Sequence, residues 1–180
     1  RLCSSAASDV YKRQILDDHS SKENIDRIKK ISKEEENSEI VSLDHNKYKS
    51  IIKNQTSKET FSNLASLLNS FEIGKNHGED LVFFVEDDYL HYETMLEEMI
   101  FSFQRITSQL GKDIFICHSD YPYLYMNNEK TNILIGNRRH WRTIDKTLCT
   151  FLTSKRLIDR YWDNLKTVSY THLRAHETYV

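Results

Sequence analysis

An uninterrupted apolar segment followed directly by three acids constrains the fold of this chain more than any other feature. Residues 81–85 read Leu-Val-Phe-Phe-Val, and the acidic segment, residues 86–88, follows without a basic neighbour. Five consecutive apolar residues are typical of a strand that is buried on both faces, as in a sheet covered by helices. Clustered carboxylates repel one another unless a cation or a basic ligand compensates them. We therefore expect a buried strand whose carboxyl end carries a ligand site.

Two interpretations of the acidic segment remain open. Side chains alternate along a strand, so Glu86 and Asp88 share one side while Asp87 faces the other. Mg²⁺ is typically held by one or two carboxylates together with substrate phosphates, which makes the segment a candidate cation site. Alternatively, the acids form a solvated turn that caps a helix beginning near Tyr89, since aspartate is a good N-cap and acids favour helix N-termini.

Helical and strand patterns alternate along the rest of the chain, which predicts an α/β fold with a largely parallel sheet. The clearest helix has apolar residues three or four positions apart from Tyr92 to Leu110, and Gly111 stands where a terminal glycine belongs. Ser20 and Glu23 fit a capping box at the start of an earlier helix. The remaining expected elements are a helix over 61–71 closed by Gly74 and Gly78, strands at 15–16, 40–43, 114–117 and 148–152, a hairpin over 133–141, and a helix over 154–165.

Composition excludes several classes of protein. The chain has 25 basic and 27 acidic residues and a formal net charge of −2, so it lacks the basic footprint of a general nucleic-acid binder. No apolar segment approaches the roughly 18 residues of a membrane span. Cys117 and Cys149 lie in apolar segments without a second cysteine at metal-site spacing, which favours buried thiols in a reducing compartment.

The two ends of the sequence differ from the middle. Residues 1–14 and 168–180 lack an apolar period and resemble translated sequencing-adaptor read-through. We therefore assign them as non-native tails and expect one domain over residues 15–167, from a gene cut at both ends. Ordinary disordered tails remain the alternative and would change little in the middle.

Two motifs resemble those of family-2-type glycosyltransferases. Residues 15–21 (Ile-Leu-Asp-Asp-His-Ser-Ser) resemble the V-V-D-D-x-S segment of that family, and residues 86–88 resemble its D-x-D motif with Glu in the first position. The resemblance covers roughly residues 15–165. It implies a truncated GT-A fold, a Rossmann-like three-layer sandwich with a mainly parallel sheet, which binds a nucleotide-diphosphate sugar and Mg²⁺ or Mn²⁺.

The resemblance also implies roles for individual residues. Asp88 would ligate the metal, and Asp18 or Asp17 would accept hydrogen bonds from the base or ribose of the nucleotide. The donor-binding residues implied are Asp17, Asp18, Ser20, Glu86 and Asp87. The acceptor hydroxyl would need a carboxylate or histidine base, which no position of this sequence identifies.

A basic cluster and several histidines are weaker candidates. Arginines suit phosphate recognition and Trp141 can stack on a sugar, so a phosphate or acceptor site is one interpretation of Arg139, His140, Trp141, Arg142 and the preceding Arg138. The other is a surface hairpin with Trp141 in the core. We expect His19, His45, His77 and His91 to be surface or capping residues, and His118 and Asp120 to form loop hydrogen bonds.

The function expected from the resemblance is metal-dependent transfer of a sugar, with inversion, from a nucleotide-diphosphate donor to a saccharide, lipid or protein acceptor. The expected location is cytoplasmic, either free or peripheral to the inner face of the membrane. Two alternatives are a non-catalytic α/β binding module and a response-regulator receiver domain. The receiver interpretation uses Asp17 and Asp18 as its acidic pair, but it needs a phosphoacceptor roughly forty residues later, and Asp44 arrives too early.

Overall fold

The computed structural model describes residues 11–34, 37–52, 57–119, 121–126, 130–144 and 149–167, without the side chains of residues 123 and 124. These residues belong to two compact units, of which the first ends at Ser70 and the second runs from Phe71 to Thr167. Helices and strands occur in both units, so the expected α/β class is confirmed. The segment 168–180 and residues 1–10 lie outside the described residues.

The first unit begins with a parallel strand–helix–strand arrangement. Strand β1 (Arg13–Asp17), helix α1 (Lys22–Ser32) and strand β2 (Ser38–Ser42) follow one another, and Ile15 pairs with Ile40. Because parallel strands end at the same edge, the residues after β1 and those after β2 come close together. Strand β1 includes the last two residues of the segment assigned as a tail, and the boundary at residue 14 stays a prediction.

The start of α1 differs from the expected capping box by one residue. The N-cap is Ser21, whose hydroxyl accepts a hydrogen bond from the Asn24 N–H at 3.3 Å. Ser20 lies before the cap, in a turn where His19 has a left-handed φ of 59°, and its N–H donates to Asp17 Oδ1 at 3.3 Å. The helix therefore begins one residue later than expected, after the turn that follows β1.

Helix α2 (His45–Tyr48) and the part of helix α3 (Lys58–His77) up to Ser70 complete the first unit. The Tyr48 side chain is fully buried, and its hydroxyl donates to Asn69 Oδ1 at 2.9 Å. This hydrogen bond matters because a buried hydroxyl without a partner would destabilise the fold. The core of the unit contains Leu43, Tyr48, Ile52, Leu64, Ala65 and Leu68, with Leu16 and Phe61 packed against it.

Helix α3 continues past the glycine that was expected to end it. A Cβ atom on Gly74 would lie 2.6 Å from Phe84 Cζ, so the glycine lets an aromatic ring pack directly on the helix backbone. The expectation that Gly74 closes the helix is therefore wrong: close packing, and not a turn, requires glycine at this position. Gly78 does follow the last helical residue, His77.

The second unit has a longer series of elements. In chain order they are strand β3 (Leu81–Phe84), helix α4 (Met95–Leu110), strand β4 (Phe115–Ile116), a 3-10 helix (Pro122–Tyr125), strands β5 (Ile133–Ile135), β6 (His140–Arg142) and β7 (Phe151–Ser154), and helix α5 (Lys155–Arg160). The expected hairpin corresponds to the antiparallel pair β5–β6. The part of the chain that the structure describes contains no helix with the length and hydrophobicity needed to cross a bilayer.

The main sheet of the second unit is antiparallel. Strand β7 lies between β3 and β4 and pairs antiparallel with both, with Phe83 opposite Leu152 and Phe115 opposite Thr153. Among the described strands only β1 and β2 pair in parallel, so the expectation of a mainly parallel sheet is not met. The expected burial of residues 81–85 on both faces is also not met, since only Phe84 is buried in β3 and Val85, beyond the strand, is 51% exposed. Consecutive apolar residues therefore indicate neither strand direction nor full burial.

Helix α4 begins later than its apolar pattern suggested and ends where expected. Its N-cap residue is Thr94, whereas Gly111 has a left-handed φ of 65° and donates its N–H to Thr107 O at 2.9 Å. Tyr92, the first residue of the pattern, lies outside the helix and is 79% exposed. The helix therefore starts too far from Asp88 for the acidic segment to cap it, and the capping interpretation is wrong.

Candidate functional site

The acidic segment follows β3 after one intervening residue, Val85, and presents two accessible carboxylates. Asp87 and Asp88 are exposed, and neither makes a hydrogen bond or ion pair with any residue that the structure describes. Glu86 is half-buried and is held against buried Thr150, just before β7. Its N–H donates to Thr150 Oγ1 at 3.0 Å, and that hydroxyl donates to Glu86 Oε2 at 3.2 Å. One carboxylate is thus fixed and two are open to a ligand.

The negative charge of this segment acts on its neighbours. Burial raises the pKa of Tyr89, and its hydrogen bond with Tyr121 and the charges of Glu86 and Asp88 raise that pKa further. Burial and the charge of Glu86 raise the pKa of the Cys149 thiol to about 12. A thiol with so high a pKa is protonated at neutral pH, so Cys149 is not an activated nucleophile.

The donor chemistry of the acidic segment fits a hard divalent cation. Carboxylate oxygens suit Mg²⁺, which keeps several waters and needs only one or two protein carboxylates when phosphates complete its shell. Asp87 and Asp88 meet that requirement without breaking a contact made by the described residues. The segment does not gather three ligand atoms, so it does not form a closed metal site by itself.

A histidine pair lies beside the acidic segment, on elements of the same unit. His91 Nδ1 and His118 Nε2 are 3.0 Å apart, and both rings contact Phe83 in an edge-on arrangement. Burial, together with the charge of His91, lowers the pKa of His118. The neutral form of the His118 imidazole is therefore favoured. Sequence reasoning missed this pair because the partners are 27 positions apart, and Asp120 lies outside the described residues.

A second polar cluster lies at the carboxyl end of β1, in the first unit. We call Asp18, His19, His45 and Ser62 the Asp–His cluster. Asp18 Oδ1 is 2.7 Å from His45 Nε2 and 3.1 Å from His19 Nδ1. The Ser62 hydroxyl donates to the other oxygen, Asp18 Oδ2. Burial favours protonation of Asp18, but the hydrogen bonds from Ser62, His19 and His45 outweigh it and lower its pKa.

The Asp–His cluster is not a catalytic triad, although it contains the three residue types. In a triad the serine and the aspartate contact different nitrogens of the histidine. Here Ser62 Oγ, at 3.2 Å, and Asp18 Oδ1 both contact His45 Nε2. The serine proton is directed at the carboxylate, so the histidine cannot act as its base.

The aspartates predicted to bind a nucleotide are engaged within their own chain. Asp17 is buried, and its carboxylate accepts the Ser20 N–H. Both oxygens of Asp18 are occupied by the Asp–His cluster. Sequence reasoning missed Ser62 and predicted His45 to be a surface or capping residue. The sequence order could have indicated the contact with His45. Asp18 follows β1 and His45 follows β2, and adjacent parallel strands end at the same edge of a sheet.

The basic cluster is a hairpin turn held by its backbone. The Arg138 and Arg139 N–H groups donate to the buried Glu98 carboxylate at 3.0 to 3.2 Å. Ser102 Oγ accepts the Trp141 indole N–H at 2.9 Å, and Trp141 packs against the core formed by Met99, Phe103, Ile116 and Leu152. The core interpretation is therefore confirmed for Trp141.

The side chains of the same hairpin are divided between packing and solvent. Arg142 lies over the Tyr125 ring, with its Cζ 4.2 Å from the ring centroid. Arg138 pairs with Glu97 at 3.2 Å. Arg138, Arg139 and His140 are exposed, whereas Arg142 is half-buried, so the first three remain accessible to an anionic ligand.

Comparison with known proteins adds no constraint. The chain matches no protein-family profile, and neither a curated protein nor a solved structure is detectably similar to it. The functional argument therefore depends on the residues and geometry described above.

Proposed function

We propose that this chain is part of a metal-dependent glycosyltransferase that transfers a sugar from a nucleotide-diphosphate donor to an acceptor hydroxyl. The observation that carries the proposal is the acidic segment, which places two accessible, unpaired carboxylates shortly after β3. Carboxylates left without a partner in the described chain favour a cationic partner from outside it. Asp88 is the proposed metal ligand, with Mg²⁺ or Mn²⁺ as the cation.

The chain's own residues have distinct parts in this proposal. Thr150 fixes Glu86, so Glu86 contacts the ribose or the donor sugar from a constant position. Asp87 and Asp88 face the diphosphate and its cation. Bound there, a divalent cation neutralises the charge that develops on the departing nucleoside diphosphate. The expected catalytic base stays unassigned.

The fold in this proposal is of the GT-A type. The parallel β1–α1–β2 arrangement supports it, because Rossmann-like sheets are built from such units. The antiparallel order of β3, β7 and β4 is a departure from the mainly parallel sheet that the resemblance implied. The Asp18 side chain could reach a nucleotide only by releasing the Asp–His cluster, so the proposal assigns it no direct contact.

The second candidate function is a non-catalytic binding module. A measurement of turnover distinguishes it from a glycosyltransferase. The assay measures release of nucleoside diphosphate from a panel of nucleotide sugars, with Mn²⁺ or with chelator. The proposal predicts Mn²⁺-dependent release that Asp88→Asn reduces at least tenfold and that Glu93→Gln leaves unchanged. Glu93 is the matched control because it is an exposed acid in the same connection between β3 and α4. Binding without turnover would support the binding module.

A further inference from the structure

We propose that the Asp–His cluster is a binding site for a borderline transition-metal ion of the Zn²⁺ type, held by His19, His45 and Asp18. This site is separate from the cation site proposed at the acidic segment and does not depend on glycosyl transfer. Within the described chain, these three residues alone bring three histidine, cysteine or carboxylate ligand atoms within 4.8 Å of one another.

The arrangement of the carboxylate supports the proposal. The Ser62 hydroxyl occupies Asp18 Oδ2, which leaves Oδ1 facing the two imidazole nitrogens. Metal-binding carboxylates are commonly held in this way by an outer hydrogen bond that fixes their orientation. The described chain provides Asp18 with no lysine or arginine partner, since its contacts are the two histidines and the serine.

The spacing of the ligand atoms is close to what a zinc ion requires. With metal–ligand bonds of about 2.0–2.2 Å, tetrahedral ligand atoms are roughly 3.3 Å apart. The two N···O separations are 2.7 and 3.1 Å, and the three ligand atoms lie within 4.8 Å of one another. Rotation of the imidazoles that moves both nitrogens away from Oδ1 and toward each other would accommodate the ion. The side chain of His19 is 66% exposed, which leaves the site open to solvent for entry and for a water ligand.

The ligand types also select the metal. Imidazole suits zinc, copper, iron and nickel, whereas Mg²⁺ and Ca²⁺ prefer oxygen ligands throughout. Two imidazoles and one carboxylate therefore favour Zn²⁺ or Co²⁺ over Mg²⁺. The His91–His118 pair has two nitrogens and no converging carboxylate, so it is the natural internal competitor for the same ion.

The left-handed backbone at His19 determines which substitution is suitable for testing the site. A φ of 59° costs little for asparagine, so His19→Asn removes the imidazole and keeps the turn. His45→Gln removes the second imidazole and keeps a polar side chain at the start of α2. His91→Gln is the matched control at the competing pair, and Asp88→Asn is the control at the acidic segment.

The experiment titrates chelator-treated full chain with Zn²⁺ by calorimetry and with Co²⁺ by visible absorption. The proposal predicts one site per chain, a roughly 10–100-fold or greater loss of affinity in His19→Asn and His45→Gln, and unchanged affinity in both controls. Bound Zn²⁺ should also raise the Tm of the wild type and not that of His45→Gln. Absence of micromolar Zn²⁺ binding, or binding that His91→Gln abolishes and His45→Gln does not, would overturn the proposal and leave a hydrogen-bonded cluster only.

Discussion

Replacing Glu98 by glutamine should destabilise the second unit strongly. Glu98 is 7% exposed, and its carboxylate accepts hydrogen bonds from the Arg138 and Arg139 N–H groups and from Ser102. Glutamine can keep Oε1 as the acceptor for Ser102 and both N–H groups, but its NH₂ then replaces Oε2, which also accepts from the Arg138 N–H at 3.0 Å. A donor would then face a donor, and every remaining hydrogen bond would lose its charged acceptor. An unsatisfied buried donor costs about 1–3 kcal/mol, and hydrogen bonds to charged groups contribute about 1.5–3 kcal/mol each.

These terms predict a loss of about 3 kcal/mol in the free energy of unfolding. In a protein of this size that loss corresponds to a Tm lower by about 6–12 °C. The matched control is Glu97→Gln, the same substitution one residue earlier. Glu97 makes a surface ion pair with Arg138, and such pairs contribute about 0–1 kcal/mol.

The assay is urea unfolding followed by circular dichroism, with amide hydrogen exchange at residues 138 and 139. Glu98→Gln should lower stability and speed exchange at both amides, while Glu97→Gln should do neither. Equal destabilisation by the two variants, or a change below about 0.5 kcal/mol in Glu98→Gln, would refute the assignment of the carboxylate as the anchor of the hairpin.

The Glu98 carboxylate also makes the free energy of unfolding depend on pH. Burial favours protonation of Glu98, but its hydrogen bonds outweigh burial and hold its pKa below the usual range. A group whose pKa is lower in the folded state contributes stability above its unfolded pKa, near 4.3, and loses it as pH falls through the folded pKa. The stability difference between wild type and Glu98→Gln should therefore be full at pH 6 and shrink as the pH falls below about 4. A difference that is constant down to pH 2.5 would contradict this.

Two further substitutions test the packing. Gly74→Ala should lower the free energy of unfolding by about 1–3 kcal/mol, because its Cβ would clash with the Phe84 ring. Gly111→Ala is the contrast: its Cβ would meet no atom within 4 Å, so only the left-handed backbone would be strained. Tyr48→Phe should cost about 1–2 kcal/mol by leaving Asn69 without its partner, and a neutral result in urea unfolding would contradict the buried hydrogen bond.

Local patterns predicted some elements well because the signal lies within one segment. The three-and-four spacing before Gly111 predicted α4 and its end, and the β5–β6 hairpin was confirmed. The start of α4 was missed because the apolar pattern continues through Tyr92, an exposed residue outside the helix. Spacing alone cannot distinguish an apolar residue that packs from one that does not.

Features that depend on distant segments could not be predicted from local patterns. The direction of β7 depends on how the chain returns after α4, which the composition of the strand does not encode. The contact of Asp18 with Ser62 joins residues 44 positions apart. The sequence predicted that both acidic motifs lie after strands. It did not predict which side chains contact them. Those contacts make the difference, since the carboxylate of Asp18 is occupied and those of residues 87 and 88 are open.

The measurement that tests the central claim most directly is calorimetric binding of nucleoside diphosphates in the presence of Mn²⁺, compared with chelator. Wild-type chain should bind at least one nucleoside diphosphate only with Mn²⁺, and Asp88→Asn should lose that binding while keeping the wild-type circular dichroism spectrum. Binding of equal strength with chelator, or in Asp88→Asn, would contradict the role assigned to the acidic segment.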